Sequence, residues 1–204
     1  MNIKIKLIFF ISLITILICD AKKLDIKIIL GSTRQGRTSE KLGRILKVMA
    51  DKNDSITTEI IDLRDYNLPF FNDEMPPAYR ETVEDPITKK WSDKINEADA
   101  FIIVSPEYNS GYSGVLKNAM DSLYKEWNNK PVAFVGYSGG ESGATSAVAQ
   151  LRQVAKAFQM IPVSCEINIG TSWKAFDTKG NLVKDIENDF NNMINEIVNL
   201  QLKK

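Results

Sequence analysis

Short β-branched runs alternate along the chain with longer stretches in which apolar residues return every three or four positions. Residues 26–30, 57–61, 101–104, 132–135 and 161–169 form the short runs. Continuous apolar runs of this length suit strands covered on both faces. Between them, Leu42, Ile45, Leu46 and Met49 predict one helix. Ile87, Trp91 and Ile95 predict a second, opened by Pro86 in the first turn, where a missing N–H costs nothing. Val115, Leu116, Ala119 and Leu123 mark a third, and Ala144, Ala147, Val148, Leu151, Ala155 and Phe158 a fourth. Ile186, Phe190, Met193, Ile194, Ile197 and Leu200 make the closing helix, while Pro69, Pro76 and Pro77 mark a long irregular loop after the second strand. Strands alternating with helices require right-handed crossovers, which predicts a three-layer α/β domain around a five-stranded parallel sheet. Such sheets bind ligands at the carboxyl ends of their strands, so the loops after strands one, three and four are where chemistry is expected.

Residues 1–21 break this pattern and predict a separate segment ahead of a domain at 22–204. Lys4 and Lys6 precede an apolar run over 7–18 interrupted only by Ser12 and Thr15, the layout of a secretory signal peptide and short for a membrane span. Four readings stay open: a cleaved signal, a degenerate lipoprotein box at Ile16-Leu17-Ile18-Cys19, a retained membrane anchor, or a mis-set start. The first three imply export or membrane association.

Composition narrows the chemistry. The 204 residues carry 26 basic and 26 acidic side chains and no histidine. Catalytic triads, Cys-His pairs and histidine zinc helices are therefore excluded, and Cys19 and Cys165, the only cysteines, cannot form a Cys-based zinc site. Without residues 1–21 the domain holds 24 basic and 25 acidic groups, a balance that speaks against nucleic acid as a partner. Chemistry must run on carboxylates, Lys, Tyr, hydroxyls, backbone amides or a cofactor.

The loop after the first strand reads Gly31-Ser32-Thr33-Arg34-Gln35-Gly36-Arg37-Thr38-Ser39 and leads into a helix. Four hydroxyls, two guanidiniums and the first-turn amides converge there, a donor set for an anion; the plain alternative is a helix cap beside two solvated arginines. Gly31, Gly36 and Thr38 also match a Walker A loop with Arg37 in place of lysine. A guanidinium does not occupy the space of that ammonium, and the third strand ends in Ser105-Pro106 without an acidic residue for magnesium, so a monophosphate suits this loop better than a nucleoside triphosphate. The loop after the third strand, Pro106-Glu107-Tyr108-Asn109-Ser110-Gly111-Tyr112-Ser113-Gly114, offers flat aromatic faces and backbone donors suited to a planar heterocycle, or is merely a turn. Gly136-Tyr137-Ser138-Gly139-Gly140-Glu141-Ser142-Gly143 after the fourth strand permits close backbone approach, or is a tight turn capped by Ser142.

Taken in order, Gly31-Ser-Thr-Arg-x-Gly-Arg37, Asp62-Leu-Arg-Asp-Tyr-x-Leu-Pro69 and Ser105-Pro-Glu-Tyr-Asn-x-Gly-x-Ser-Gly114 resemble the NADPH-dependent FMN reductase family, over roughly residues 24–170. The resemblance implies a flavodoxin-like fold with strand order 2-1-3-4-5. It implies FMN as cofactor and NADPH or NADH as electron donor, with the reduced flavin passing two electrons to a small-molecule acceptor such as a quinone, free flavin, azo compound or metal oxyanion. It places the FMN phosphate at Ser32, Thr33, Arg34, Gln35, Gly36, Arg37, Thr38 and Ser39. Pro106, Glu107, Tyr108 and Asn109 would flank the isoalloxazine, with Ser138, Gly139 and Gly140 on its other edge. A homodimer or homotetramer is implied as well. Flavin chemistry needs no titrating side chain, in keeping with the absent histidine. A flavodoxin-type electron carrier is the alternative; such carriers are acidic, whereas this domain is nearly neutral. NADPH and FMN are cytoplasmic, which sets the expected cofactors against the export signal read in residues 1–21.

Overall fold

A computed structural model describes residues 22–202; the segment read as a signal or anchor lies outside the described residues. The chain runs β1 (Leu24–Leu30), α1 (Thr38–Ala50), β2 (Ile56–Asp62), α2 (Pro86–Glu97), β3 (Ala100–Pro106), α3 (Gly114–Asp121), β4 (Pro131–Tyr137), α4 (Thr145–Ala157), β5 (Ile161–Ile169) and α5 (Glu187–Gln201), with 3-10 turns at Leu63–Asp65, Lys125–Trp127 and Ser172–Lys174. All strand pairs are parallel and the order is β2-β1-β3-β4-β5. The expected doubly wound sheet is thus formed, with its switch point between β1 and β3.

Alternate strand residues serve opposite faces, because side chains flip with a period of two. Ile26, Ile28, Ile102 and Val104 pack with Leu42, Leu46, Met193 and Ile197 beneath α1 and α5. Ile29, Phe101 and Ile103 pack with Trp91, Leu116, Trp127 and Leu151 beneath α2, α3 and α4. On that second face Trp127 stands edge-on between Phe101 and Trp91, at ring separations of 5.0 and 6.0 Å. Both buried indoles are satisfied, Trp91 donating to the Ala119 carbonyl at 2.7 Å and Trp127 to that of Met120 at 3.1 Å.

Helix limits shift slightly from the periodicity. The Asp85 carboxylate accepts from the Thr88 amide at 2.7 Å and sets the rotation of α2, so the buried stripe is Thr88, Trp91, Ser92 and Ile95 and Ile87 is left partly exposed. Helix α3 stops at Asp121, where the Ser122 hydroxyl bonds back to the Asn118 carbonyl at 2.7 Å; Leu123 is buried by the turn that follows. Ala144, Phe158 and Ile186 sit at helix caps rather than inside their helices.

Candidate flavin site

The loop after β1 is threaded against β3. The Gly31 amide donates to the Val104 carbonyl at 2.8 Å, and a Cβ at Gly31 would stand 2.9 Å from that same oxygen and 3.1 Å from Leu116 Cδ2, so only glycine fits. Beyond it Ser32 is buried, while Thr33, Arg34, Gln35 and Gly36 are exposed at the sheet edge. The Ser32 hydroxyl shares a 2.7 Å hydrogen bond with the Tyr108 hydroxyl, and the Arg34 guanidinium stands 5.8 Å from the centre of the Tyr108 ring. Ser113, which caps α3, donates its hydroxyl proton to the Gly31 carbonyl and ties the first loop to the second.

Arg37 is neither solvated nor free. Its guanidinium is buried, donating to the Ser32 carbonyl at 3.0 Å and gripping the Asp62 carboxylate with two nitrogens, one of them at 2.9 Å. Arg64, two residues past Asp62, reaches back across the loop to donate to the Thr33 carbonyl at 3.0 Å and to that of Arg34. The end of β2 therefore braces the loop after β1 from outside. Burial acts to raise the Asp62 carboxyl, but the Arg37 hydrogen bonds, the Arg64 amide at 3.0 Å and both positive charges hold it below the ordinary aspartate range.

The second loop is a two-residue turn. Tyr108 and Gly111 exchange backbone hydrogen bonds at 2.7 and 3.1 Å, and Asn109 and Ser110 have φ of 51° and 65°, the left-handed pair that a type I′ turn requires. Glu107 serves α4: that helix opens at Ala144 with φ 74° and no side-chain cap of its own, and the Glu107 carboxylate accepts from the Ala147 amide at 3.1 Å. Ser142 does not cap the helix. The third loop is bound to the turn after β5, Thr171 donating to the Gly140 carbonyl and Ser172 to that of Ser138, each at 2.9 Å.

These loops enclose a cavity of about 160 Å³ at the switch point. Arg34, Gln35, Gly36, Arg37 and Thr38 line it from the first loop, Pro106, Glu107 and Tyr108 from the second, and Ser138 and Gly139 from the third. The remaining expected residues lie elsewhere. Ser32 supports Tyr108, Thr33 faces solvent, Ser39 is buried in the first turn of α1, Asn109 forms the exposed turn, and Gly140 lines a neighbouring depression. Tyr137 and Ser172 complete the lining. Neither was among the expected site residues: Tyr137, read as part of the third loop, is the last residue of β4, and the loop after β5 lies beyond the switch point. Burial pushes the Tyr137 phenol up, against the weaker pull of the nearby Ser39 and Ser32 hydroxyls, although the Ser39 hydroxyl forms no hydrogen bond with it.

The donors are matched to a negatively charged guest. Helix α1 has no side-chain cap, so its first-turn amides lack an internal acceptor. Ser39 Oγ and Arg37 Nε are buried without a hydrogen-bond partner, and an uncapped helix start favours an anion beside its first turn. Among the described residues no cluster of carboxylates or cysteines could hold a metal ion. The residues present therefore fit a phosphate monoester.

A 2-1-3-4-5 parallel sheet with an uncapped helix N-terminus at its switch point defines a flavodoxin-like fold of the mononucleotide-binding kind. Residues 24–174 match the NADPH-dependent FMN reductase family, and the chain belongs to that family. It is 37% identical over 136 residues to an NAD(P)H-dependent FMN reductase of Schizosaccharomyces pombe, covering 66% of this chain and 67% of the relative. A quinone reductase of Pseudomonas putida is 30% identical over 168 residues, covering 78% and 84%. Among solved structures, the flavoenzyme NAD(P)H:(acceptor) oxidoreductase FerB from Paracoccus denitrificans superposes with a TM-score of 0.70 at 25% identity, covering 86% of this chain and 98% of that one. The protein is an enzyme, an FMN-dependent oxidoreductase that draws its electrons from NAD(P)H.

Proposed function

We propose that this enzyme reduces a quinone-type acceptor, with the FMN phosphate seated at the N-terminus of α1. The observation that carries the seat is the uncapped start of α1, which opens at a cavity lined from three loops by Arg34, Thr38, Tyr108 and Ser138 among others. The acceptor class follows from likeness to the quinone reductase of Pseudomonas putida. When bound, FMN supplies the hydride acceptor and the two-electron donor. The chain supplies position. First-turn amides and Thr38 would hold the phosphate, and Arg34 would add charge from the exposed side of the loop. Arg37 and Arg64 hold the loop's shape through Asp62 and the backbone carbonyls rather than by touching phosphate. The cavity of about 160 Å³ has room for a phosphoryl group, and Pro106, Tyr108 and Gly139 at its edge would flank the isoalloxazine.

The full chain purified with FMN should oxidise NADPH only slowly until benzoquinone is added, then turn over with ping-pong kinetics. A protein that binds FMN but oxidises no nicotinamide with any acceptor would instead be an electron carrier.

Two further parts of the reading rest on separate observations. Phe70, Met75 and Tyr79, respectively 85%, 53% and 74% exposed, all lie on the loop between β2 and α2, and apolar exposure on that scale supports a homo-oligomer covering this loop. The charged start and apolar run of residues 1–21 support export or anchoring. Fractionation with sequencing of the mature N-terminus distinguishes cleavage, lipidation at Cys19 and retention. No helix among the described residues is long and apolar enough to cross a membrane.

A further inference from the structure

Next to the flavin cavity, and sharing Gly139 with it, lies a wider depression of about 690 Å³. One wall is the loop after β4, from Gly139 to Glu141, and the other is the turn after β5, carrying Trp173 and Lys174, with Lys184 at the rim. The walls are locked together. Gly170 approaches so closely that a Cβ there would fall 2.3 Å from the Glu141 carbonyl oxygen, and Thr171 and Ser172 donate to the carbonyls of Gly140 and Ser138. Thr171 is held at φ 47°, a conformation a β-branched residue seldom adopts, and strain of this kind persists where surrounding structure imposes it, commonly at ligand sites.

What the locked turn presents is unusual for a solvent surface. Trp173 is 70% exposed, whereas Trp91 and Trp127 are wholly buried. The Lys174 ammonium stands 4.4 Å from the centre of the Trp173 ring, and Lys184 spends one donor on the Asn168 carbonyl at 3.1 Å, leaving others free. The set is a flat aromatic platform, two ammonium groups and one carboxylate, Glu141, on the opposite wall. It matches a heterocycle that stacks, a phosphate monoester that pairs with point charges, and a sugar hydroxyl that donates to a carboxylate.

We propose that this depression binds the adenosine 2′-phosphate end of NADPH, with Trp173 stacking on adenine and Lys174 and Lys184 pairing with the 2′-phosphate, so that these residues set the preference for NADPH over NADH. The inference rests on the flavin-site reading for its geometry, since the nicotinamide end must reach the cavity across Gly139. Two ammoniums suit the dianionic 2′-phosphate that NADH lacks.

The test is a titration of the full chain with 2′,5′-ADP and with 5′-AMP, following tryptophan emission, in which the exposed Trp173 is the ring open to quenching. The expected result is quenching by 2′,5′-ADP with at least tenfold tighter binding than 5′-AMP, before and after FMN is added. In Lys174→Glu/Lys184→Glu the preference should vanish and KM for NADPH rise at least tenfold, with KM for NADH, the saturated rate and FMN affinity unchanged. Trp173→Ala should weaken both nucleotides alike. Equal binding of the two probes, a preference for NADH, or Trp173 emission already shielded by a second copy would overturn the proposal. If FMN fails to bind while 2′,5′-ADP still quenches, it is the flavin-site reading that falls.

Discussion

At the scale of single residues, the two arginines of the first loop have separated into different tasks. Arg34 is exposed beside the Tyr108 ring, whereas Arg37 is committed to Asp62 and the Ser32 carbonyl. Removing each should therefore fail differently. Arg34→Ala should weaken FMN binding by roughly 1–3 kcal/mol, the value of a charge-assisted hydrogen bond, and leave the melting temperature nearly unchanged. Arg37→Ala should lower stability by about 2 kcal/mol or more, because it strands a partly buried carboxylate. Calorimetric FMN affinity together with thermal melts checks both, and equal melting temperatures for the two variants would dismiss the distinction. The pH dependence has a definite sign. Since the Asp62 pKa is depressed in the folded state, its contribution is present above the unfolded aspartate value near 3.9 and is lost as pH falls through the lower folded value. Asp62→Asn should thus flatten the acid limb of the stability curve below about pH 4.

At the scale of elements, the site is made by ties between neighbouring strand ends. Gly31 lets β1 turn away beneath β3, Ser113 fastens that turn to α3, and Glu107 caps α4 from the end of β3. Gly31→Ala should cost roughly 1–3 kcal/mol by overpacking against the Val104 carbonyl, and should also weaken FMN binding because the loop must shift. Denaturant melts with a parallel flavin titration would show both losses; a loss of stability with intact affinity would mean that the loop does not depend on this threading. Much of this level was legible in advance. Short continuous apolar runs placed the strands and helical periodicity the helices, and the glycine and hydroxyl clusters marked the loops. What could not be read was which loop touches which: Arg37 and Arg64 meet their partners across 25 to 31 positions, and the Asp62-Leu63-Arg64 motif gave no hint that it braces the loop after β1.

At the scale of the whole molecule, near-neutral charge and an absent histidine leave the protein to act as a scaffold for a cofactor. The exposed Phe70, Met75 and Tyr79 lie on a loop fastened at its start by Asn118, which donates to the Pro69 carbonyl at 2.8 Å and accepts from the Phe71 amide at 2.9 Å. If the proposed homo-oligomer covers this loop, Phe70→Asp/Tyr79→Asp should shift the full chain toward monomer in light scattering without unfolding it; an unchanged mass would dismiss that covering. A buried ion-pair group adds a second pH limit. Glu97 stands 3.3 Å from the Lys27 ammonium; burial acts to lower the Lys27 pKa, but Glu59 and Asp25 raise it well above the ordinary lysine range. Its contribution is complete below the unfolded lysine value near 10.4 and is lost only as pH rises toward the folded one.

By itself the sequence determined the alternation of elements, the two-faced burial of the sheet and the loops that carry polar and glycine residues, because hydrophobic periodicity and local backbone chemistry act over a few residues. Tertiary structure alone decided that Arg37 faces inward, that Ser39 is left buried without a partner, and that Trp173 stands beside the flavin cavity. Those outcomes depend on strand order and on which strand ends become neighbours in the sheet, and no local pattern along the chain encodes that adjacency.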